Sequence, residues 1–340
     1  MHAHRAGHHP HKHTTYAAMK LIGSDFDMVA TLAYLKNSST LYSNANVNGA
    51  ALKHLVQEVV VPNCDCFTMM TGGLDSGDLL ALFTEACLGI FAIGFEIRRR
   101  AFQNNLARFA NNSNVHIVNC GMSNTETETT VFGDNALAGI GHVGQWATQA
   151  RATEGEYREK DAHKVSTVPL STFARDLERV DLLTIDAEGH ESSIIAGMAL
   201  HEEASRRRFA AFQFELGGTW SDSRHPSGSW SLQKTMGYLD DWGYRIYIVG
   251  NTLGAIPTYS EWGQTGNFAG AETDHPAKAT FLWLNSSIFA RSPCADACRG
   301  DALALHPAFA HHDLTAFVDA HTVAFRLSDQ STTRRGRGGQ

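Results

Sequence analysis

The chain has no long hydrophobic run. Nothing in it approaches the ~18 apolar residues of a membrane helix, and mean hydropathy is −0.23, so a helical span is not expected. It has no basic excess: Lys+Arg total 28 against 35 Asp+Glu, a net charge of −7. A protein that meets nucleic acid with its whole surface would be basic, so that class is disfavoured. Cysteine is sparse, with six in 340 residues, too few for a disulfide scaffold. Cys64, Cys66, Cys87 and Cys120 lie in or beside apolar runs and read as buried reduced thiols. The N-terminus lacks the apolar core of a secretory signal, so the reading is a soluble, cytoplasmic chain. The Asn-x-Ser sequons at Asn37, Asn111 and Asn285 are then accidental. No repeat of solenoid or propeller period is found.

What is present is a globular composition, 43% hydrophobic and 19% charged. Residues 1–20 hold a histidine-rich tract with no apolar period and read as a disordered tail. Residues 21–63 read as a helical lead-in. From residue 64 to 287, apolar strand patterns alternate with amphipathic helix patterns. The strands are Cys66–Thr71, Ile90–Glu96, Val115–Cys120, Leu182–Asp186, Ala211–Glu215, Tyr244–Val249 and Thr280–Leu284. Helices are expected over Asp78–Ala86, Arg99–Ala110, Ser192–Glu203 and Ser231–Trp242. That alternation predicts an α/β fold with a mostly parallel sheet. Residues 133–165 interrupt it with no clear period. Residues 288–330 read as a helical extension packed through Ala302, Leu303, Leu305, Phe309, Leu314, Phe317 and Val318. The tail 331–340 is rich in Arg and Gly and reads as solvated. The cluster Cys294, Cys298, His306, His311 and His312 has spacings compatible with zinc, but too short a central gap for a usual finger. No metal site is assigned.

Three places could carry chemistry. Gly72-Gly-Leu-Asp-Ser-Gly77 lies between the first strand and its helix, where glycines let a ligand approach the backbone. It is neither a P-loop nor G-x-G-x-x-G. Glu96 ends the second strand, 19 residues after Gly77, where an acid commonly hydrogen-bonds ribose hydroxyls. The third place is Val180-Asp-Leu-Leu-Thr-Ile-Asp-Ala-Glu-Gly-His-Glu-Ser-Ser-Ile-Ile-Ala-Gly197. There Asp186, Glu188, His190 and Glu191 gather at the carboxyl end of a strand, the edge at which open α/β sheets bind ligands.

That segment resembles the Ile-Asp-x-Glu-Gly-x-Glu signature of the FkbM-type family of S-adenosylmethionine-dependent methyltransferases. Its surroundings fit: Phe95-Glu96, Asn119-x-x-x-Ser123, Val168–Phe173, Tyr244–Val249 and Gly266-Asn-Phe268. The resemblance implies a Rossmann-like seven-stranded sheet with an antiparallel last strand and helices on both faces. It implies S-adenosyl-L-methionine as cofactor and methyl transfer to a hydroxyl of a sugar or small natural product. By motif, Thr71, Gly73, Asp75 and Gly77 would line the cofactor, Glu96 its ribose, and Asp186 its methyl side. Asp186, Glu188 and His190 would be catalytic, with His190 the preferred base near neutral pH. Two positions depart from the family: Thr71 stands where an acid is usual, and Thr184 where Lys is common. Competing readings are a noncatalytic binding protein on the same fold and a nicotinamide-dependent oxidoreductase.

Overall fold

A computed structural model describes residues 52–132, 142–143, 162–187, 189–215, 230–253, 277–284 and 301–321. The histidine-rich tail, most of the lead-in, the tail 331–340, Glu188, Gly266–Phe268, Cys294 and Cys298 lie outside them. Among the described residues no helix is long and apolar enough to cross a membrane, and no cluster of three or more His, Cys, Asp or Glu is arranged to hold a metal ion.

All seven expected strands form and share one sheet. They are β1 (Thr68–Gly72), β2 (Phe91–Phe95), β3 (Val115–Val118), β8 (Leu182–Ile185), β9 (Ala211–Glu215), β10 (Arg245–Leu253) and β11 (Ala277–Leu284). Helix α1 (Asp78–Ala86) follows β1, α2 (Arg99–Arg108) follows β2, and α6 (Leu232–Asp241) precedes β10. Strand order is β11-β10-β12-β9-β8-β1-β2-β3, where β12 is Asp301–Leu305. The block β9-β8-β1-β2-β3 is parallel. β12 runs antiparallel between β9 and β10, and β11 is antiparallel at the edge. This is the Rossmann-like, mostly parallel sheet that the alternation predicts.

Three expectations are corrected. Residues 301–305 are a strand, and the helix α7 begins only at His312 (His312–Ala320). β12 is therefore an eighth strand, antiparallel inside the sheet, and the expected antiparallel last strand, β11, lies outside it. The run Ala302-Leu-Ala-Leu305 is buried throughout, as a central strand must be, and so short an apolar run has no period to distinguish strand from helix. Second, a small sheet that the alternation does not announce follows β3. Its strands are β4 (Gly121–Ser123), β5 (Thr127–Phe132), β6 (His142–Val143) and β7 (His163–Pro169), in the order β4-β7-β5-β6. Third, Cys64 and Cys87 are joined in a disulfide, with Cα atoms 5.5 Å apart, while Cys66 is exposed. The bond closes over β1 and α1, whose reversal brings the two ends of that unit together. Residue spacing alone does not reveal this.

The helix expected over Ser192–Glu203 is two helices, α4 (Glu191–Gly197) and α5 (Glu203–Arg208). Ala199 between them takes a positive φ of 54°. On one face of the sheet, Leu55, Val56 and Val60 of the lead-in pack with Leu80 and Phe83 of α1 and with Leu314 and Phe317 of α7. Asn63 Nδ2 donates to Asp313 Oδ2 at 2.8 Å and ties the same elements together. The carboxyl ends of the parallel strands are left to the loops that follow β1, β2 and β8.

Candidate active site at the carboxyl edge of the sheet

The loop after β1 turns sharply because two glycines allow it. Gly73 has φ +81°, and a Cβ there would sit 1.8 Å from the carbonyl oxygen of Asp186. The ends of β1 and β8 therefore touch, and the Asp186 amide donates to the Gly72 carbonyl at 3.0 Å. Gly77, at φ +79°, precedes α1, and a Cβ there would meet Asn105 Oδ1 at 1.9 Å. Between them Asp75 is held from three sides. Its amide donates to Glu96 Oε2 at 2.9 Å, its carbonyl accepts from Asn105 Nδ2 at 2.9 Å, and its carboxylate accepts from Arg98 Nη2 at 2.7 Å.

Glu96 is only 2% exposed. Its Oε1 accepts the Arg98 amide at 2.8 Å and lies 3.4 Å from Arg98 Nε. A buried carboxylate needs such partners. Burial opposes the Arg98 charge, but Glu96 and Asp75 outweigh it and raise its pKa. Asn119 Nδ2 donates to the Glu96 carbonyl at 2.8 Å and fixes the end of β2. Arg98, Asn105 and Asn119 are thus parts of the site that the sequence reading did not assign. Arg98 and Asn119 were within reach of it, standing two residues after Glu96 and at the head of the Asn-x-x-x-Ser step.

The signature turn after β8 is built by Glu191. Fully buried, it accepts the amides of Ala187 and Gly189, both at 2.9 Å. Asp186 opens to the surface at the strand end. Its pKa is nonetheless raised, first by the surrounding protein and then by the charge of Asp75. His190 caps α4 and points its Nε2 at Ser123 Oγ, 3.2 Å away on β4. Burial lowers its pKa to about 4, so it is neutral at neutral pH. The serine of the Asn-x-x-x-Ser step thus reaches the signature histidine. The fold gathers Thr71, Gly73, Asp75, Gly77, Glu96 and Asp186 at adjoining strand ends, whereas His190 lies toward the small sheet. No hydrogen bond joins His190 to Asp186.

Thr71 and Thr184 are register partners on β1 and β8. Both are buried, and the Thr184 hydroxyl donates to Thr71 Oγ1 at 2.8 Å. The next partner in the row is Gln213 on β9. Its Nε2 donates to Asp301 Oδ2 at 2.6 Å. Asp301 belongs to the site edge and was missed because its segment read as helix.

No curated protein matches the chain. Among solved structures, the Aeropyrum pernix fibrillarin with natively bound S-adenosyl-L-methionine is 14% identical over 63% of this chain and 70% of that one, with a TM-score of 0.33. The O-methyltransferase TomG of Streptomyces achromogenes, in complex with SAM, is 11% identical over 85% and 95%, with a TM-score of 0.35. The precorrin-6y C5,15-methyltransferase of Geobacter metallireducens is 12% identical over 73% and 86%, with a TM-score of 0.31. The model of the methyltransferase FkbM domain matches residues 73–246, from the first loop glycine to the start of β10. That stretch is just over half of the chain and contains the signature turn and the ends of β2, β8 and β9, so the protein belongs to the FkbM family of methyltransferases.

Proposed function

We propose that this methyltransferase methylates a hydroxyl oxygen of a sugar or small natural product. Its cofactor is S-adenosylmethionine, the methyl donor of its family. The residues present suit that group. Glu96 offers a buried carboxylate beneath the loop, held by short bonds from the amides of Asp75 and Arg98 and by long ones, 3.4 and 3.5 Å, from the Arg98 guanidinium. Asn105 Oδ1, beside Gly77, is a buried acceptor without a partner among the described residues. In this reading Thr71, Gly73, Asp75 and Gly77 line the donor, Glu96 meets its ribose, and Asp186 lies on its methyl side.

When bound, the sulfonium supplies a methyl group that is already electrophilic. The chain has then to orient the acceptor oxygen and to take its proton. Orientation can contribute ~7–11 kcal/mol, and a positioned base about 10²–10⁴-fold. His190 is proposed as that base because its Nε2 already meets a hydroxyl oxygen; burial keeps the ring unprotonated at neutral pH while making it a weaker base than a free imidazole. Asp186 is the second choice, and Glu188 would hold the acceptor or orient the histidine. The acceptor is a small molecule or glycan. A cytoplasmic location was expected from the sequence, but the Cys64–Cys87 bond favours an oxidising compartment.

The observation that carries the proposal is the meeting of the ends of β1, β2 and β8 at the start of the matched domain, with the Asp186 amide donating to the Gly72 carbonyl and the Asp75 amide to Glu96. The test is incubation of the full chain with methyl-labelled S-adenosylmethionine and a panel of saccharides and phenols, read by mass spectrometry. A labelled methyl on oxygen is expected. Label on nitrogen or carbon would overturn the acceptor class. Donor binding with no transfer to any acceptor would leave the noncatalytic binding protein.

A further inference from the structure

Asp301 is the first residue of β12. Because β12 runs antiparallel to β9, its start lies at the carboxyl end of β9, with Asp301 opposite Glu215. Asp186 follows Ile185, and Ile185 pairs with Phe214, so Asp186 stands level with Glu215 on the other side. Asp186 and Asp301 are two strand spacings apart, about 10 Å between backbones. Two carboxylates separated by 115 residues of sequence thus flank β9 at the edge where the cofactor loop lies.

Several groups face Asp301. From β9 come Gln213, which donates to its Oδ2, and Glu215. From β8 comes Asp186. β10 places Val249 opposite it in register. Among the described residues no cation pairs with Asp301. Arg98, whose charge reaches Asp186, is itself engaged by Asp75 and Glu96. Confining a second negative charge beside Asp186 without a cation is unfavourable, and a retained proton relieves it.

We propose that Asp301 is a functional residue of this site, holding a proton beside an ionised Asp186 until a sulfonium cation binds at the carboxyl edge and drives that proton to solvent. Burial and the charge of Asp186 push Asp301 up to about 7, so a nearby positive charge tips the balance at neutral pH. Asp186 ionises first, and Asp301 then feels its charge. The pair would distinguish S-adenosylmethionine, which carries the sulfonium, from S-adenosylhomocysteine, a neutral thioether. Loss of the sulfonium charge lets Asp301 take a proton back and weakens the hold on the product. This deepens the reading of S-adenosylmethionine as cofactor and rests on it.

The test is calorimetric titration of the full chain with S-adenosylmethionine and with S-adenosylhomocysteine at pH 7, in phosphate and in Tris. The difference between buffers counts protons released. S-adenosylmethionine should release about half a proton more from the parent than from Asp301→Asn, because a group with pKa near 7 is about half protonated there. S-adenosylhomocysteine should show no such difference. Asp301→Glu should restore the release. Where Asp301→Asn fails to fold, the parent's affinity decides. It should rise about tenfold from pH 6 to pH 8 for S-adenosylmethionine beyond any rise for S-adenosylhomocysteine. Equal release by parent and Asp301→Asn, or the same pH profile for both ligands, overturns the proposal while leaving the cofactor assignment intact. Binding of neither ligand overturns both.

Discussion

At the scale of single residues, the two departures from the family pattern are one change. Thr71 and Thr184 face each other across β1 and β8 and share a hydrogen bond. Where the resemblance implies an acid and a lysine, this chain has two hydroxyls that satisfy each other without charge. A neutral pair avoids the desolvation that a buried ion pair must overcome. Replacing one member alone should therefore be costly. Thr71→Asp buries an unpaired carboxylate and should destabilise by about 3–5 kcal/mol. Adding Thr184→Lys should recover much of that loss. Urea denaturation of the two single variants and the double variant closes the cycle, and a double variant no better than the sum of its parts would show that the positions do not couple.

At the scale of elements, the strands of the parallel block were legible, β1, β2 and β8 above all, because a strand buried on both faces reads as an unbroken apolar run. Met69-Met70 and Leu182-Leu183 show it directly. Helices α1, α2 and α6 were legible for the complementary reason, an apolar stripe with polar flanks. β12 was not. Asp301-Ala-Leu-Ala-Leu305 carries no periodicity of its own, and its place between β9 and β10 is set by pairings 88 residues away, as between Gln213 and Asp301. The small sheet escaped because Thr127–Phe132 is a polar, half-exposed strand. The site divides along the same line. Glu96, the loop glycines and Asp186 are adjacent to strand ends in sequence and could be read there. Asp301 arrives by topology. Nothing in the sequence marks Glu191 as buried, yet it organises the whole signature turn.

For the whole molecule, the buried titratable groups act on stability in opposite directions. His190 is depressed to about 4 from an unfolded value near 6.5. Its contribution is present above pH 6.5 and is lost as pH falls toward 4, since the unfolded chain then binds the extra proton. Asp301 is raised to about 7 from near 3.8. Its contribution is present below pH 3.8 and is lost as pH rises through 7. Between pH 4 and 6.5 the two offset one another. His190→Gln should flatten the acid side of the stability profile, and Asp301→Asn should steepen it. Urea midpoints at half-unit steps from pH 4.5 to 7.5 measure both. Parallel profiles for the two variants would show that neither group is held away from its ordinary titration.

The disulfide gives the molecule a mechanical asymmetry. Cys64 and Cys87 are 23 residues apart along the chain, and β1, the glycine loop after it and α1 all lie between them. Under tension applied to the two ends of the chain, the force passes through the sulfurs and the enclosed segment stays slack. Stretched in optical tweezers, the oxidised chain should come up about 75 Å short of the reduced one, the span of 23 extended residues less the gap across the bridge. Equal lengths with and without reductant would show that the cysteines are not joined. The glycine loop after β1 is thus the part of the protein that pulling cannot straighten until the bond is cut.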